Sequence, residues 1–155
     1  MKRKKVFLMC GVPGSGKSTW IQKQGNGIWC SRDAVRFAWL KDGEDYFAHE
    51  DDVFEAWIKE IQKAIDDENG SENIFVDATH LNKKARKKVT TRLIFKADDE
   101  KIAVNFIVPL ETCIERNEQR SGRALVPRSV IRRMFYSFEP AAADEGFDEI
   151  ITITD

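Results

Sequence analysis

Long hydrophobic runs are missing from this 155-residue chain. The apolar stretch after the basic start, Val6 to Cys10, is broken at once by Gly11 and Pro13. It is too short for a secretory core, although Lys2 to Lys5 imitates the charged start of a signal peptide, and no stretch is long enough to span a bilayer. The expected location is the cytoplasm, with no membrane partner. Cysteine is scarce: Cys10, Cys30 and Cys113 make three, an odd number without CxxC spacing. That argues against a disulfide framework or a zinc ribbon and for buried, reduced thiols. Excess charge of one sign is absent too. At a formal net charge of −1, the molecule has no global field to draw it to nucleic acid or an anionic surface, so any such attraction must come from local patches. There is no internal repeat, no low-complexity segment and no Pro/Ser-rich linker. A single domain over residues 1–155 is expected.

What is present alternates between strand and helix patterns. Apolar runs at Lys4 to Cys10, Gly27 to Ser31, Asn73 to Asp77, Ile102 to Val108 and Glu149 to Thr154 predict five strands. Helices are predicted from Lys17 to about Gln24, Asp33 to Leu40, Tyr46 to Asp67, Lys83 to Phe95, Thr112 to Arg120 and from Pro127 onward. The fold class is α/β: a five-stranded parallel sheet sandwiched between helices, with ligands at the carboxyl ends of the strands.

One motif carries most of the chemistry. Gly11-Val12-Pro13-Gly14-Ser15-Gly16-Lys17-Ser18-Thr19 fits GxxxxGK[ST], follows a predicted strand and opens a predicted helix. Its glycines let backbone N–H groups converge on a phosphate at a positive helix end. Lys17 can reach the β- and γ-phosphates, and the Ser18 hydroxyl can ligate Mg²⁺. The expected ligands are therefore ATP, or another nucleoside triphosphate, and Mg²⁺. The motif does not name the acceptor.

Other candidates stand just after predicted strand ends. Asp33 and Arg36 are one helical turn apart and can face one cleft, although such a pair also makes an ordinary surface ion pair or helix cap. Asp77 ends an apolar strand in the manner of a carboxylate that supports Mg²⁺, or of a simple cap. Arg116, Arg120 and Arg123 flank Gly122 in a stretch without apolar core, which suits an arginine-bearing lid over about residues 120–127 or a solvated helix end.

Four segments in order extend this reading: Cys10 to Trp20, Ser31-Arg32-Asp33-Ala34-Val35-Arg36, Asp77-Ala78-Thr79-His80-Leu81-Asn82 with Arg86, and Glu115 to Arg120 leading to Val126-Pro127. Together the chain resembles the bacteriophage-type polynucleotide 5′-hydroxyl kinases among the small P-loop kinases, over residues 6 to about 140. The resemblance implies that Asp33 is the general base on a 5′-hydroxyl, that Arg36 holds the acceptor's 3′-phosphate, and that Arg120, with Arg123 beside it, contacts the donor phosphates. Thr79, His80 and Arg86 would lie on the acceptor side, and Ser18 and Asp77 at the metal. His80 stands where that family usually has Asn. The chain has no DxDx[TV] motif of the phosphatase domain that accompanies the best-known phage enzyme, so a kinase module alone is expected. The partner implied is a DNA or RNA 5′ end.

Six basic residues fall between Lys83 and Arg92, an expected backbone contact for nucleic acid if it is not merely a solvated face. Trp20, Trp29, Trp39 and Trp57 fall on predicted core faces. Two competing readings remain: a kinase for a nucleoside, sugar or antibiotic, and a nucleotide-binding switch that transfers nothing.

Overall fold

The computed structural model describes residues 3–122 and 125–154. Strand β1 (Lys5–Cys10) runs into the glycine loop and helix α1 (Lys17–Lys23), followed by β2 (Ile28–Ser31), α2 (Arg32–Trp39) and α3 (Glu50–Asp66). Then come β3 (Asn73–Asp77), α4 (Lys83–Thr90), β4 (Glu100–Ile107), α5 (Leu110–Glu118), α6 (Arg128–Ser137) and β5 (Glu149–Thr154). The sheet order is β2-β3-β1-β4-β5, and every pairing is parallel. The glycine loop thus leaves the central strand, flanked by β3 and β4.

The two faces of the sheet follow the strand's period of two. Val6, Leu8 and Cys10 of β1 face Phe54, Trp57 and Ile61 of α3 and Val89 of α4. Met9 packs the opposite way with Ile21 of α1, Phe75 and Val104. Cys113, Ile114 and Ile131 seat α5 and α6 beside Val12 of the loop. All three cysteines are buried, with no disulfide among the described residues, and burial pushes Cys10 and Cys30 up to about 12, which keeps them protonated and inert.

Three expectations shift. The helix expected from Tyr46 begins only at Glu50, because Asp45 accepts bonds from Phe47 N and, through its carbonyl, from Ala48 N, closing a turn instead. The basic helix stops at Thr90 rather than Phe95; the Thr91 hydroxyl bonds back to Lys87 O at the helix end, and Leu93 turns into the core. Of the tryptophans, Trp57 is fully buried, but Trp29 and Trp39 are exposed at the surface.

Arg86 is the largest correction. The side chain expected to meet the acceptor is buried, with four hydrogen bonds inside the fold. Nε and Nη2 fork onto Glu145 at 2.7 and 3.0 Å, while Nη1 donates to His80 O at 2.8 Å and Glu139 O at 2.7 Å. A buried guanidinium needs this degree of satisfaction, and it leaves no donor edge for a substrate. Arg86→Ala would strand the Glu145 carboxylate and two carbonyls. The expected loss is about 3–5 kcal/mol in urea denaturation, against under 1 kcal/mol for the exposed Lys87→Ala.

A phosphate cradle and an acidic acceptor wall

The loop between β1 and α1 is shaped by close approach. Gly14 adopts φ +81°, and a Cβ there would stand 2.2 Å from the carbonyl oxygen of Cys113. Any side chain would push the loop off α5. Gly16 (φ +99°) stands at the N-cap of α1 with no side-chain cap, so the first helical N–H groups stay open to an anion. Ser15 is buried, and its hydroxyl oxygen has no partner among the described residues. An unpaired hydroxyl beside the uncapped N-terminus of α1 fits a bound phosphate.

Lys17 lies across this loop, donating to Gly11 O at 2.7 Å and Val12 O at 3.0 Å. Burial lowers its pKa, and the charge of Asp77 opposes that shift. Burial raises the Asp77 carboxyl in turn, against the pull of Lys17 and a 2.9 Å bond from Trp29 Nε1. Asp33 and Arg120 contribute to both shifts, so Lys17, Asp77, Asp33 and Arg120 share one electrostatic neighbourhood. Arg116 reaches over the loop as well: its Nη1 lies 3.3 Å from where a Gly16 Cβ would be. Arg123 lies outside the described residues. Pro13, Ser18 and Thr19 complete the loop and the first turn of α1.

No cluster of three acidic, imidazole or thiol groups exists among the described residues to hold a metal unaided. Ser18 and Asp77 offer one hydroxyl and one carboxylate beside a phosphate cradle. That donor set suits Mg²⁺, which takes its remaining ligands from phosphate and water.

The wall expected on the acceptor side is built by α2 and α3. Ser31 caps α2 by accepting from Ala34 N, which sets Asp33 in the first turn. Asp33 Oδ1 accepts from Arg36 Nη1 and, at 2.7 Å, from the Tyr46 hydroxyl. Burial and the Asp33 charge push the Tyr46 phenol upward, so it remains a donor. Its ring also lies 4.5 Å from the Arg36 guanidinium carbon. Arg36 is buried and forks onto Glu50 through two bonds of 2.8 Å. Those bonds hold the Glu50 carboxyl below its ordinary value. Tyr46, Glu50 and Trp29 are not among the site residues expected from the sequence. Tyr46 and Glu50 reach the site across a loop that has no motif spacing, and Trp29 looked like core.

Thr79 follows β3 half-buried, and its carbonyl accepts from Gly11 N at 2.9 Å, tying the β3 loop to the cradle. His80 departs from its expected place on the acceptor side: it is buried, with Nδ1 2.6 Å from Met9 O and Nε2 without a partner among the described residues. Its ring tilts against Trp57 at 5.9 Å. An apolar cavity of about 410 Å³ borders the loop at Val12, Phe106 and Phe135. None of its lining residues is charged, so the titratable chemistry lies outside it.

A family model described as an AAA domain matches residues 6–141. The chain belongs to that family. Its fold is that of the P-loop kinases, which implies nucleotide binding. A fungal RNA kinase superposes at TM-score 0.65 with 18% identity over 99% of this chain and 75% of that one. A chain of the Pnkp1/Rnl/Hen1 RNA repair complex superposes at 0.71 with 20% identity, over 88% of this chain but only 44% of the other. A gluconokinase from Sinorhizobium meliloti superposes at 0.58 with 17% identity over 99% and 84%. At such identities the likeness concerns the fold alone. No curated protein matches the sequence.

His80 gives this AAA-family domain an acid-sensitive element. Burial takes its pKa from 6.5 to about 4, so the unfolded chain binds a proton that the folded one refuses. Its contribution is present above the unfolded pKa and is lost as pH falls below about 6.5. Between pH 7.5 and 5 this group should cost about 2 kcal/mol. Asn tolerates the positive φ of 44° at this position and does not titrate. Urea denaturation of His80→Asn should therefore fall less steeply between those pH values than wild type; parallel losses would clear His80 of the role.

Proposed function

We propose that the protein is a polynucleotide 5′-hydroxyl kinase, moving the γ-phosphate of ATP to the 5′-OH of DNA or RNA. The carrying observation is Asp33. Two donors, Arg36 and Tyr46, fix its Oδ1, while Oδ2 has no bond among the described residues and is open to accept a proton. Lys17 and Asp77 stand in the same electrostatic neighbourhood. A carboxylate oriented in this way beside a phosphate-binding lysine is what in-line transfer to a hydroxyl requires. The fungal RNA kinase and the RNA repair assembly, similar in fold, lend support from outside the chain.

In this reading Gly11 to Thr19 hold the donor phosphates and Lys17 turns from the loop carbonyls to the β- and γ-phosphates. Arg120 neutralises charge gathering on the equatorial oxygens. Ser18 and Asp77 would hold Mg²⁺, which screens the same charge. Asp33 Oδ2 takes the hydroxyl proton. Arg36 keeps Asp33 oriented, and with its donors committed to Glu50, Asp33 and Tyr46 it would have to release one of these bonds to hold an acceptor phosphate.

A second reading, a small-molecule kinase, draws on two observations. Glu50 already occupies two donors of Arg36, and the gluconokinase matches nearly the whole chain in fold. Transfer of labelled γ-phosphate separates the two readings. Labelling of a 5′-OH oligonucleotide and of a nucleoside 3′-monophosphate, but not of a plain nucleoside or gluconate, is expected. Labelling of gluconate alone would overturn the polynucleotide assignment. Asp33→Asn should lower kcat about 10²–10⁴-fold with ATP affinity intact, whereas Lys17→Ala should impair both. Unchanged turnover in Asp33→Asn would remove it from the base role.

A further inference from the structure

The six basic residues of the α4 region do not act alike. Lys83 pairs with Asp144, Arg86 with Glu145 and Arg92 with Glu55. Lys84, Lys87 and Lys88 have no ion-pair partner among the described residues, and all three are exposed. Lys84 and Lys88 lie four apart and share a helix face. That face meets the first turns of α3, where Lys88 Nζ sits 4.4 Å from the centroid of Phe54.

Arg32 approaches the same ring from α2. Its guanidinium carbon is 5.4 Å from the Phe54 centroid and 5.6 Å from that of Trp57. Among the described residues its single carboxylate contact is a long one, Nη2 to Glu50 at 3.4 Å, and that carboxylate is already forked onto Arg36. Nε is buried and has no partner among the described residues. Two under-compensated cations therefore share one aromatic floor, and Arg32 is the residue directly before Asp33. The opposing charges are on α3: Glu50 is committed to Arg36, Glu55 to Arg92, and Asp51 and Asp52 are exposed in the first turn. An incoming anion is thereby kept to the α4 side of the groove.

We infer that Arg32, Lys88 and Lys84 form a seat for the phosphodiester backbone of the acceptor strand downstream of its first nucleotide, over Phe54 in the groove between α3 and α4. This rests on the polynucleotide reading and deepens it, since the seat favours acceptors longer than one nucleotide.

The test uses the full chain and two readouts. KM is measured for a nucleoside 3′-monophosphate and for a 5′-OH 12-mer, and binding of a fluorescein-labelled 12-mer is followed by anisotropy across 50–200 mM salt. Lys84→Ala/Lys88→Ala should raise KM for the 12-mer about tenfold and flatten the log–log salt slope of binding by about 1.4, the value for two lost single-strand phosphate contacts. Arg32→Gln should act in the same direction. Melting temperature and ATP affinity check the folding of each variant. A double variant that keeps the wild-type 12-mer KM and salt slope overturns the seat. Wild-type protein that binds the 12-mer through these lysines but phosphorylates neither acceptor keeps the seat and sinks the kinase reading. Wild-type protein that phosphorylates both acceptors with equal KM keeps the kinase and sinks the seat.

Discussion

The structure depends on one buried guanidinium. Arg86 of α4 holds His80 O, and the neighbouring Thr79 O holds Gly11 N, the first residue of the phosphate loop. Through Glu139 O and Glu145 it also fixes the segment that returns from α6 to β5. A positive charge out of water is tolerable only because all of these acceptors converge on it. The same requirement fixes the spacing between the β3 loop, the phosphate loop and the C-terminal strand. On the far side, the contact of Gly14 with the Cys113 carbonyl sets the loop against α5. The cradle is thus positioned from two directions by backbone groups, while the N-terminus of α1 has no side-chain cap and the Ser15 hydroxyl has no partner among the described residues.

The cleft balances charges that are close and incompletely solvated. Burial works against both Lys17 and Asp77, and each supports the other's charge. On the acceptor wall Glu50 restrains Arg36, and Arg36 with Tyr46 orients Asp33. An arginine pinned in this way has little freedom to lose on binding, so its direction is set before any ligand arrives.

Much of this could be read in the chain. The order of strands and helices follows from hydrophobic period, and GxxxxGKS located the cradle because the motif is contiguous and its flanks matched a strand and a helix. Asp33 and Arg36 were visible as a pair one turn apart, but not their partners. Tyr46 and Glu50 lie beyond a loop whose turn, formed by the Asp45 carboxylate, replaced a predicted helical turn. Arg86 and His80 were misplaced for a common reason. A charged or titratable residue in a polar stretch reads as exposed unless its buried partners are known, and Glu139 and Glu145 are more than fifty positions away. Trp29 looked like core because its run is apolar, yet its strand lies at the sheet edge.

The central place of β1 bears on how the chain is made. Lys5 lies between Asn73 and Glu100 in the sheet, so during synthesis β1 stays half-paired until β4 emerges and wholly unpaired until β3 does. Until then Val6 to Cys10 is an unpaired apolar edge, open to mispairing with another nascent chain. The basic residues Arg3, Lys4 and Lys5 directly before it give that edge like charges, which discourage association during the wait.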